Sequence, residues 1–209
     1  MIDISTNRFS GRPRDDSIDL SILDAAAQII IEQGYGSATI AAIVAAAGTS
    51  KPAFYRRFAS VADLIPALVD RRHPLDTPEP TGTLAGDLRA FQSQQAAIFN
   101  DPFVRAAMPA WLAHMHDGPA EAADAFVKGF LPQRMAVLTE ILDRAAVRDA
   151  IVVDAVDLDA LMETFVGAFL MRSLIPHSPP LDDVDIDRSV NLACLLIEQA
   201  QPEPPEPRD

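Results

Sequence analysis

Apolar positions recur every three to four residues over most of this chain, which is the spacing of amphipathic helices. The first such segment spans residues 18–33 and is followed by Gly34, a typical helix stop. The second segment is short. Thr39 can cap a helix over residues 40–47, and Gly48 can end that helix. Two consecutive helices are therefore predicted before residue 50.

A third and a fourth helix are predicted from the same kinds of signal. In the third, Phe54 and Phe58 lie four residues apart and can pack inward together. The fourth runs from Ser60 to Arg72, and a serine with an acidic residue three positions later is typical of a helix start. Pro66 lies within this segment, so we expect it to interrupt or kink the fourth helix.

The rest of the chain is also predicted to be helical, after a proline-rich linker over residues 73–83. The helical segments span residues 84–100, 102–116, 120–148, 158–175 and 184–199. The pattern contains no convincing strand, so the predicted fold class is all-α. The predicted organisation is a flexible basic arm (1–16), an N-terminal three-helix domain (17–72), a larger helical C-terminal domain (84–200) and a disordered tail (201–209).

The composition is that of a folded globular protein, with 49% hydrophobic and 22% charged residues. No run of about 18 apolar residues is present, which argues against a membrane span. The N-terminus lacks the basic and apolar regions of a secretory signal, and Cys194 is the only cysteine, so no internal disulfide can form. We therefore expect a cytoplasmic protein without a membrane partner.

Negative charge is concentrated in the second part of the chain. The net charge is −13, yet residues 1–72 carry eight basic and eight acidic side chains, whereas residues 73–209 carry nine and 22. An acidic surface repels DNA, because binding depends on Lys and Arg close to phosphates. Only the first 72 residues are therefore a candidate DNA-binding region.

The segment from Thr39 to Phe58 predicts a helix-turn-helix, because two short helices meet through a turn of three residues that begins with Gly48. In this motif the second helix enters the major groove. With the two phenylalanines inward, Arg56 points outward and is the best candidate for reading base edges. Lys51, Tyr55 and Arg57 are better placed to contact phosphates.

Residue types throughout this region resemble the N-terminal domain of the tetracycline-repressor (TetR) family of regulators, in order and spacing. The residues that carry the resemblance are Ile22-Leu23-Asp24-Ala25-Ala26-Ala27, Gly34-Tyr35, Thr39-Ile40, Ile43, Ala47-Gly48, Ser50-Lys51-Pro52, Phe54-Tyr55-Arg56-Arg57-Phe58 and Leu64. A match over about 45 residues is far more specific than a bare helix-turn-helix pattern. The resemblance implies a helical homodimer, usually a repressor that leaves a palindromic operator when a small molecule binds the C-terminal domain.

The resemblance also implies that Tyr55 and its neighbours contact double-stranded operator DNA. One departure is Val61, where the family commonly has a lysine, and we expect Arg12 and Arg14 of the arm to compensate by reaching the minor groove. The predicted DNA-binding residues are Arg12, Arg14, Thr39, Ser50, Lys51, Pro52, Ala53, Tyr55, Arg56 and Arg57.

The segment from Thr164 to Met171 is apolar on almost every side, so a helix here needs packing partners on two sides. Its own domain supplies one side, and a second copy of the chain is the simplest source of the other. The predicted dimer-interface residues are Phe165, Phe169, Leu192 and Leu196. A central helix in a monomeric core is the alternative.

Aromatic and methionine side chains of the middle helices are numerous enough to line an apolar effector pocket, and also numerous enough to fill a core. Gln95 and Arg134 are polar candidates for orienting a ligand. The predicted ligand-binding residues are Phe91, Gln95, Phe99, Met108, Trp111, Met115, Phe130 and Arg134.

Two other function classes compete with a regulator. An enzyme is disfavoured, because His114 and His116 diverge on a helix and no carboxylate or cysteine cluster, phosphate loop or nucleophile motif accompanies them. No metal or cofactor is predicted. A helical ligand-binding or interaction protein without DNA binding is the second alternative, and it predicts no salt-dependent affinity for DNA.

Overall fold

The computed structural model describes residues 16–118, 124, 127–128, 131–149 and 151–202. All regular structure in these residues is helical, so the all-α prediction is confirmed. The first part contains α1 (Asp16–Gln33), a 3-10 turn (Tyr35–Ser37), α2 (Ile40–Ala46), α3 (Lys51–Tyr55) and α4 (Leu64–Arg72). The second part contains α5 (Leu84–Asn100), α6 (Pro102–Asp117), α7 (Leu131–Asp149), a 3-10 turn (Val153–Ala155), α8 (Leu158–Leu174) and α9 (Asp183–Ala200).

Helix ends agree best with prediction where a capping residue defines them. Thr83 accepts a hydrogen bond from the N–H of Gly86, and α5 has the predicted bounds. Asp101 caps α6 in the same way through the N–H of Phe103. The arm (1–16) and the tail (201–209) lie almost entirely outside the described residues, as do most of residues 119–130.

The predicted interruption of the fourth helix at Pro66 is wrong. The α-helix begins at Leu64 and not at Ser60, so Pro66 lies in its first turn. The first four N–H groups of a helix have no intrahelical acceptor, so a proline there removes no hydrogen bond and causes no kink. The carboxylate of Asp63 instead accepts a hydrogen bond from the N–H of Ser60, which closes the turn that leads into α4.

The C-terminal domain is built around α5, which packs against α7, α8 and α9. Phe91 on α5 and Phe165 on α8 are fully buried, with ring centroids 5.8 Å apart. The side-chain amide of Gln92 also donates to the backbone oxygen of Phe165 at 2.8 Å. Burial of an aromatic side chain is worth about 1.5–3 kcal/mol, so this contact fixes the spacing of α5 and α8.

The two domains share one continuous apolar core. α6 packs on α1 and α4 of the N-terminal domain as well as on α5 and α8 of its own domain. Leu68 and Val69 of α4 belong to the same buried cluster as Phe103 and Val104 of α6. Movement of α6 or α4 therefore cannot be confined to one domain, because close-packed interiors transmit displacement.

Candidate DNA interface and effector cavity

Short-range hydrogen bonds define the helix-turn-helix. The hydroxyl of Thr39 accepts from the N–H of Ala42 at the start of α2, and that of Ser50 accepts from the N–H of Ala53 at the start of α3. Between the helices, Gly48 adopts φ 61°, a left-handed conformation that costs glycine little. The N–H of Thr49 then bonds the oxygen of Val44 at 2.9 Å, as in a Schellman helix end.

The side chains of α3 divide into an inner and an outer set. Phe54 is fully buried, and its ring lies 5.8 Å from that of Phe58. Lys51, Pro52 and Tyr55 are exposed on the other side, and Tyr55 retains 56% of its accessible surface. Arg56 directly follows the helix and is also exposed. These four outward side chains form the recognition surface: Lys51, Pro52, Tyr55 and Arg56.

Two predicted DNA-binding residues face inward. Ala53 is only 5% exposed, so its methyl group packs in the module and cannot reach a base. The side chain of Arg57 is 7% exposed, where it forms an ion pair with Asp19 of α1 and donates to the backbone oxygen of Ala53 at 3.1 Å. The prediction of DNA contact is wrong for both residues, because their side chains hold the module together.

Of the other predicted DNA-binding residues, Thr39 and Ser50 are exposed, but their hydroxyls already act as helix caps. Arg12 and Arg14 lie outside the described residues.

The ion pair between Arg57 and Asp19 was missed by sequence reasoning, since its partners are 38 positions apart and belong to no common motif.

A polar cluster joins α4 to α6 where the two domains meet. The guanidinium of Arg72 donates two hydrogen bonds to the carboxylate of Asp101, at 2.8 and 3.1 Å, and the imidazole Nε2 of His73 lies 2.7 Å from the same group. Burial acts to raise the pKa of Asp101, but these hydrogen bonds and that from the N–H of Phe103 outweigh it and hold the pKa below its usual value. The part of the chain from α1 to α4, which we call the recognition module, is thereby attached to the first turn of α6.

A cavity of about 500 Å³ lies between α4, α5, α6, α7 and α8. This volume is within the range of small-molecule sites. Most of its wall is apolar, and the lining residues are Pro66, Val69, Gln95, Ile98, Phe99, Met108, Trp111, Leu112, Met115, Leu131, Arg134, Met135, Asp159, Met162, Glu163, Val166, Gly167 and Leu170.

Six of the eight predicted ligand-binding residues line this cavity, namely Gln95, Phe99, Met108, Trp111, Met115 and Arg134. Phe91 does not, because its ring is fully buried against Phe165 in the interior of the domain. Phe130 lies outside the described residues. Pro66 and Val69 were not predicted to line it, and they place α4 of the N-terminal domain directly in the cavity wall.

Two family models of regulator sequences match different parts of this chain. The model described as "Tetracyclin repressor-like, C-terminal domain" matches residues 78–193, more than half of the chain, and that of "Bacterial regulatory proteins, tetR family" matches residues 22–68. The chain belongs to the TetR family. Members are transcription regulators and not enzymes, with a DNA-binding N-terminal domain and a ligand-binding C-terminal domain.

Relatives of this TetR-family protein include HTH-type transcriptional regulators of Mycobacterium tuberculosis and Mycobacterium bovis. Each is 29% identical over 185 residues, which cover 86% of this chain and 89% of the relative.

Solved structures show the same fold. A TetR family transcription regulator named SCO0332 has a TM-score of 0.63 at 24% identity, covering 85% of this chain and 97% of that chain. The flavonoid-responsive regulator FrrA has a TM-score of 0.61 at 22% identity, covering 90% and 99%. A TetR regulator from Agrobacterium tumefaciens has a TM-score of 0.63 at 17% identity, covering 88% and 94%.

The predicted dimer-interface residues of this TetR-family protein fall into two groups. Phe165 and Phe169 are 0% and 1% exposed within one chain, so they pack in the protomer's own core and cannot contact a partner. The prediction is wrong for these two residues. Leu192 and Leu196 of α9 are exposed, at 50% and 39%.

The outer face of α8 and α9 is apolar beyond those two leucines. Met171 is 61% exposed, Ile175 49% and Leu195 51%, and the exposed Gly167 and Ala168 lie beside them on α8. We call this the α8/α9 face. It consists of Gly167, Ala168 and Met171 of α8, Ile175 directly after that helix, and Leu192, Leu195 and Leu196 of α9. Its residues alternate along α8 with the buried phenylalanines, so the helix has one inward and one outward apolar side.

The two histidines of α6 do not form a site. His114 is partly exposed, His116 is exposed, and no group of three possible metal ligands occurs in the described part of the chain. Among the described helices, none is long and apolar enough to cross a membrane.

Proposed function

We propose that this protein is a homodimeric repressor that binds a palindromic operator and is released from it when a small, largely apolar effector enters the cavity. The observation that carries the proposal is the division of α3 into a buried face, centred on Phe54, and an exposed face with Lys51, Tyr55 and Arg56. An exposed cationic and aromatic surface at the end of a capped helix fits the major groove.

The exposed residues take different roles at the operator. Arg56 reads base edges, because its planar guanidinium can donate two parallel hydrogen bonds to guanine. Lys51 and Tyr55 contact phosphates and fix the orientation of the module, and Arg12 and Arg14 reach the minor groove from the arm. Thr39, Ser50 and Pro52 lie at the edge of this surface. We expect the protein to act in the cytoplasm, where it meets its operator.

A second copy of the chain covers the α8/α9 face. Apolar residues that stay about half exposed in one chain, such as Met171 and Leu195, are stabilised when a symmetric partner removes them from water. In a two-fold dimer of this kind we expect the two recognition helices to bind half-sites about one turn of DNA apart, on a palindromic operator.

The first experiment measures binding to the operator obtained by selection from promoter fragments, using fluorescence anisotropy at 50 and about 200 mM salt. We expect the affinity to fall steeply with salt, since phosphate contacts release counterions. Arg56→Ala should weaken binding, whereas Lys128→Ala, which removes an exposed positive charge from the other domain, should have little effect. Weak binding that is insensitive to salt and to Arg56→Ala would favour a helical ligand-binding protein without a DNA target.

Sedimentation measures the oligomeric state. Leu195→Glu places a charge on the α8/α9 face and should convert the dimer to a monomer, while Leu20→Glu, at another exposed leucine on α1, should leave it dimeric. A wild-type protein that sediments as a monomer at micromolar concentration would contradict the proposed assembly.

A further inference from the structure

Two buried nitrogen-bearing side chains line the mainly apolar cavity. Arg134 on α7 is 1% exposed, and burial lowers the pKa of its guanidinium to about 10, so the group remains charged at neutral pH. Gln95 on α5 is also 1% exposed, and its Nε2 donates no hydrogen bond. A buried donor without an acceptor is unfavourable, because it has lost its hydrogen bonds to water.

Arg134 forms an ion pair with a carboxylate of α4. Asp70 Oδ1 lies 3.8 Å from the Nη1 of Arg134, which is longer than a charge-assisted hydrogen bond of about 2.7–2.9 Å. That oxygen is buried and accepts no hydrogen bond. Burial raises the pKa of Asp70, and the charge of Arg134 partly opposes this. The ion pair is therefore loose, although it links the cavity to the DNA-binding domain.

Two further carboxylates lie on the cavity wall. Asp159 and Glu163 are on α8, and both are exposed. Water and salt screen their repulsion of an entering anion, whereas the attraction of Arg134 acts in a buried region where charges interact more strongly. Arg134 therefore offers a buried positive charge to a ligand, whereas Asp159 and Glu163 are exposed to solvent.

We propose that the effector is an apolar carboxylic acid, whose carboxylate binds between Gln95 and Arg134 and replaces Asp70 as the partner of Arg134. The inference rests on the proposed function and names the chemical class of its effector. The carboxylate accepts hydrogen bonds from both donors, while the hydrocarbon body lies against the aromatic and methionine side chains of the wall. Loss of the Arg134 to Asp70 pair loosens the hold of the C-terminal domain on α4, which is how occupancy reaches the recognition surface.

The test uses Trp111, which is the only tryptophan of the chain and lines the cavity. Its fluorescence reports binding in the absence of DNA. The full chain is titrated at pH 7.5 with decanoic acid, decanamide and decylamine, which share one hydrocarbon tail. We expect the acid to bind about tenfold more tightly than the amide, and the amine to bind most weakly. Equal affinities for acid and amide would overturn the proposal.

Three variants locate the charge effect. Arg134→Gln should abolish the preference for acid over amide, and Asp70→Asn should tighten acid binding several-fold because it removes the competing carboxylate. Asp143→Asn, a matched control that removes an exposed carboxylate of α7 outside the cavity lining, should change acid affinity less than twofold. An unaltered acid preference in Arg134→Gln, or an unchanged acid affinity in Asp70→Asn, would refute the proposed exchange. Asp70 is partly exposed, so this variant decides the matter even where Arg134→Gln does not fold.

Different results would refute the acid preference and the regulatory function. A protein that prefers the acid but binds no DNA would contradict the proposed regulator and leave the effector site standing. If the amide and the acid released operator DNA at equal concentrations, the proposed regulatory function would stand and the carboxylate site would be excluded.

Discussion

The recognition module and the effector cavity use buried and exposed residues in opposite ways. In the module, the side chains proposed to contact DNA, such as Tyr55 and Arg56, are exposed, whereas Phe54 is buried beneath them. In the cavity, the groups that can select a ligand, Gln95 and Arg134, are the buried ones. A surface that binds DNA must be solvated before binding, whereas a small-molecule site gains selectivity by excluding water.

The difference also concerns distance along the chain. Within the module, the helix starts and the turn are set by contacts over three or four residues, such as the cap from Ser50 to Ala53, although the ion pair of Arg57 with Asp19 spans 38 positions. The cavity and its connection to the module depend on pairs far apart in sequence, such as Arg134 with Asp70 and Arg72 with Asp101. Local hydrogen bonds therefore define the helix-turn-helix, whereas contacts between distant segments define the cavity and its connection to α4.

The largest expected effect separates the two faces of α3. Phe54→Ala should lower the free energy of unfolding by about 3–5 kcal/mol, because it leaves a cavity in a fully buried site. Tyr55→Ala should change it by only about 0.5 kcal/mol, since the ring is mainly exposed, while weakening operator binding. Urea unfolding followed by circular dichroism measures both. Similar losses of stability in the two variants would remove the distinction between the faces.

The adjacent arginines provide a closer comparison. Arg57→Ala should lower the free energy of unfolding by about 1.5–3 kcal/mol, because it removes charged hydrogen bonds from a buried position. Arg56→Ala should leave stability within about 0.5 kcal/mol and weaken operator binding by about 1–3 kcal/mol. Paired unfolding and anisotropy measurements test this. If Arg56→Ala proved the more destabilising variant, the assignment of the two roles would be reversed.

Acid should weaken the contact between the regions. The pKa of Asp101 is lower in the folded protein than the usual aspartate value of about 3.9, so its contribution to stability is complete above that value and disappears as the pH falls through the folded pKa. The urea midpoint of the wild type should therefore drop on acidification below about pH 4. Asp101→Asn should be less stable at pH 7 and show a shallower pH dependence. Parallel pH profiles for the two proteins would mean that this carboxylate does not couple folding to pH.

The smallest effect compares the same cap in both regions. Thr39→Ala and Thr83→Ala should each cost about 1 kcal/mol of unfolding free energy, because each removes the acceptor for one helix N–H. Only the variant in α2 should also weaken DNA binding. The serine variants keep the hydroxyl and should restore stability. Loss of operator affinity from Thr83→Ala at matched stability would show that the two regions are less separable than their local structure indicates.

The sequence alone determined the order of the helices, the helix ends that carry a capping residue, and the helix-turn-helix motif, although it placed the start of α4 four residues too early. Caps such as Thr39, the left-handed turn at Gly48 and the inward spacing of Phe54 with Phe58 act over a few residues, so they are visible in a linear pattern. The outward position of Arg56 follows from the same helical geometry.

Only the tertiary structure decided which apolar residues form core, cavity or surface. A helix that is apolar on nearly every side, as α8 is, has no periodic signal to show that Phe165 faces inward and Met171 outward. The partners of Arg57, Arg72 and Arg134 come from other helices, so no spacing rule predicts them. The physical reason is that local hydrogen bonds fix where helices begin and end, whereas burial depends on how whole helices pack against one another.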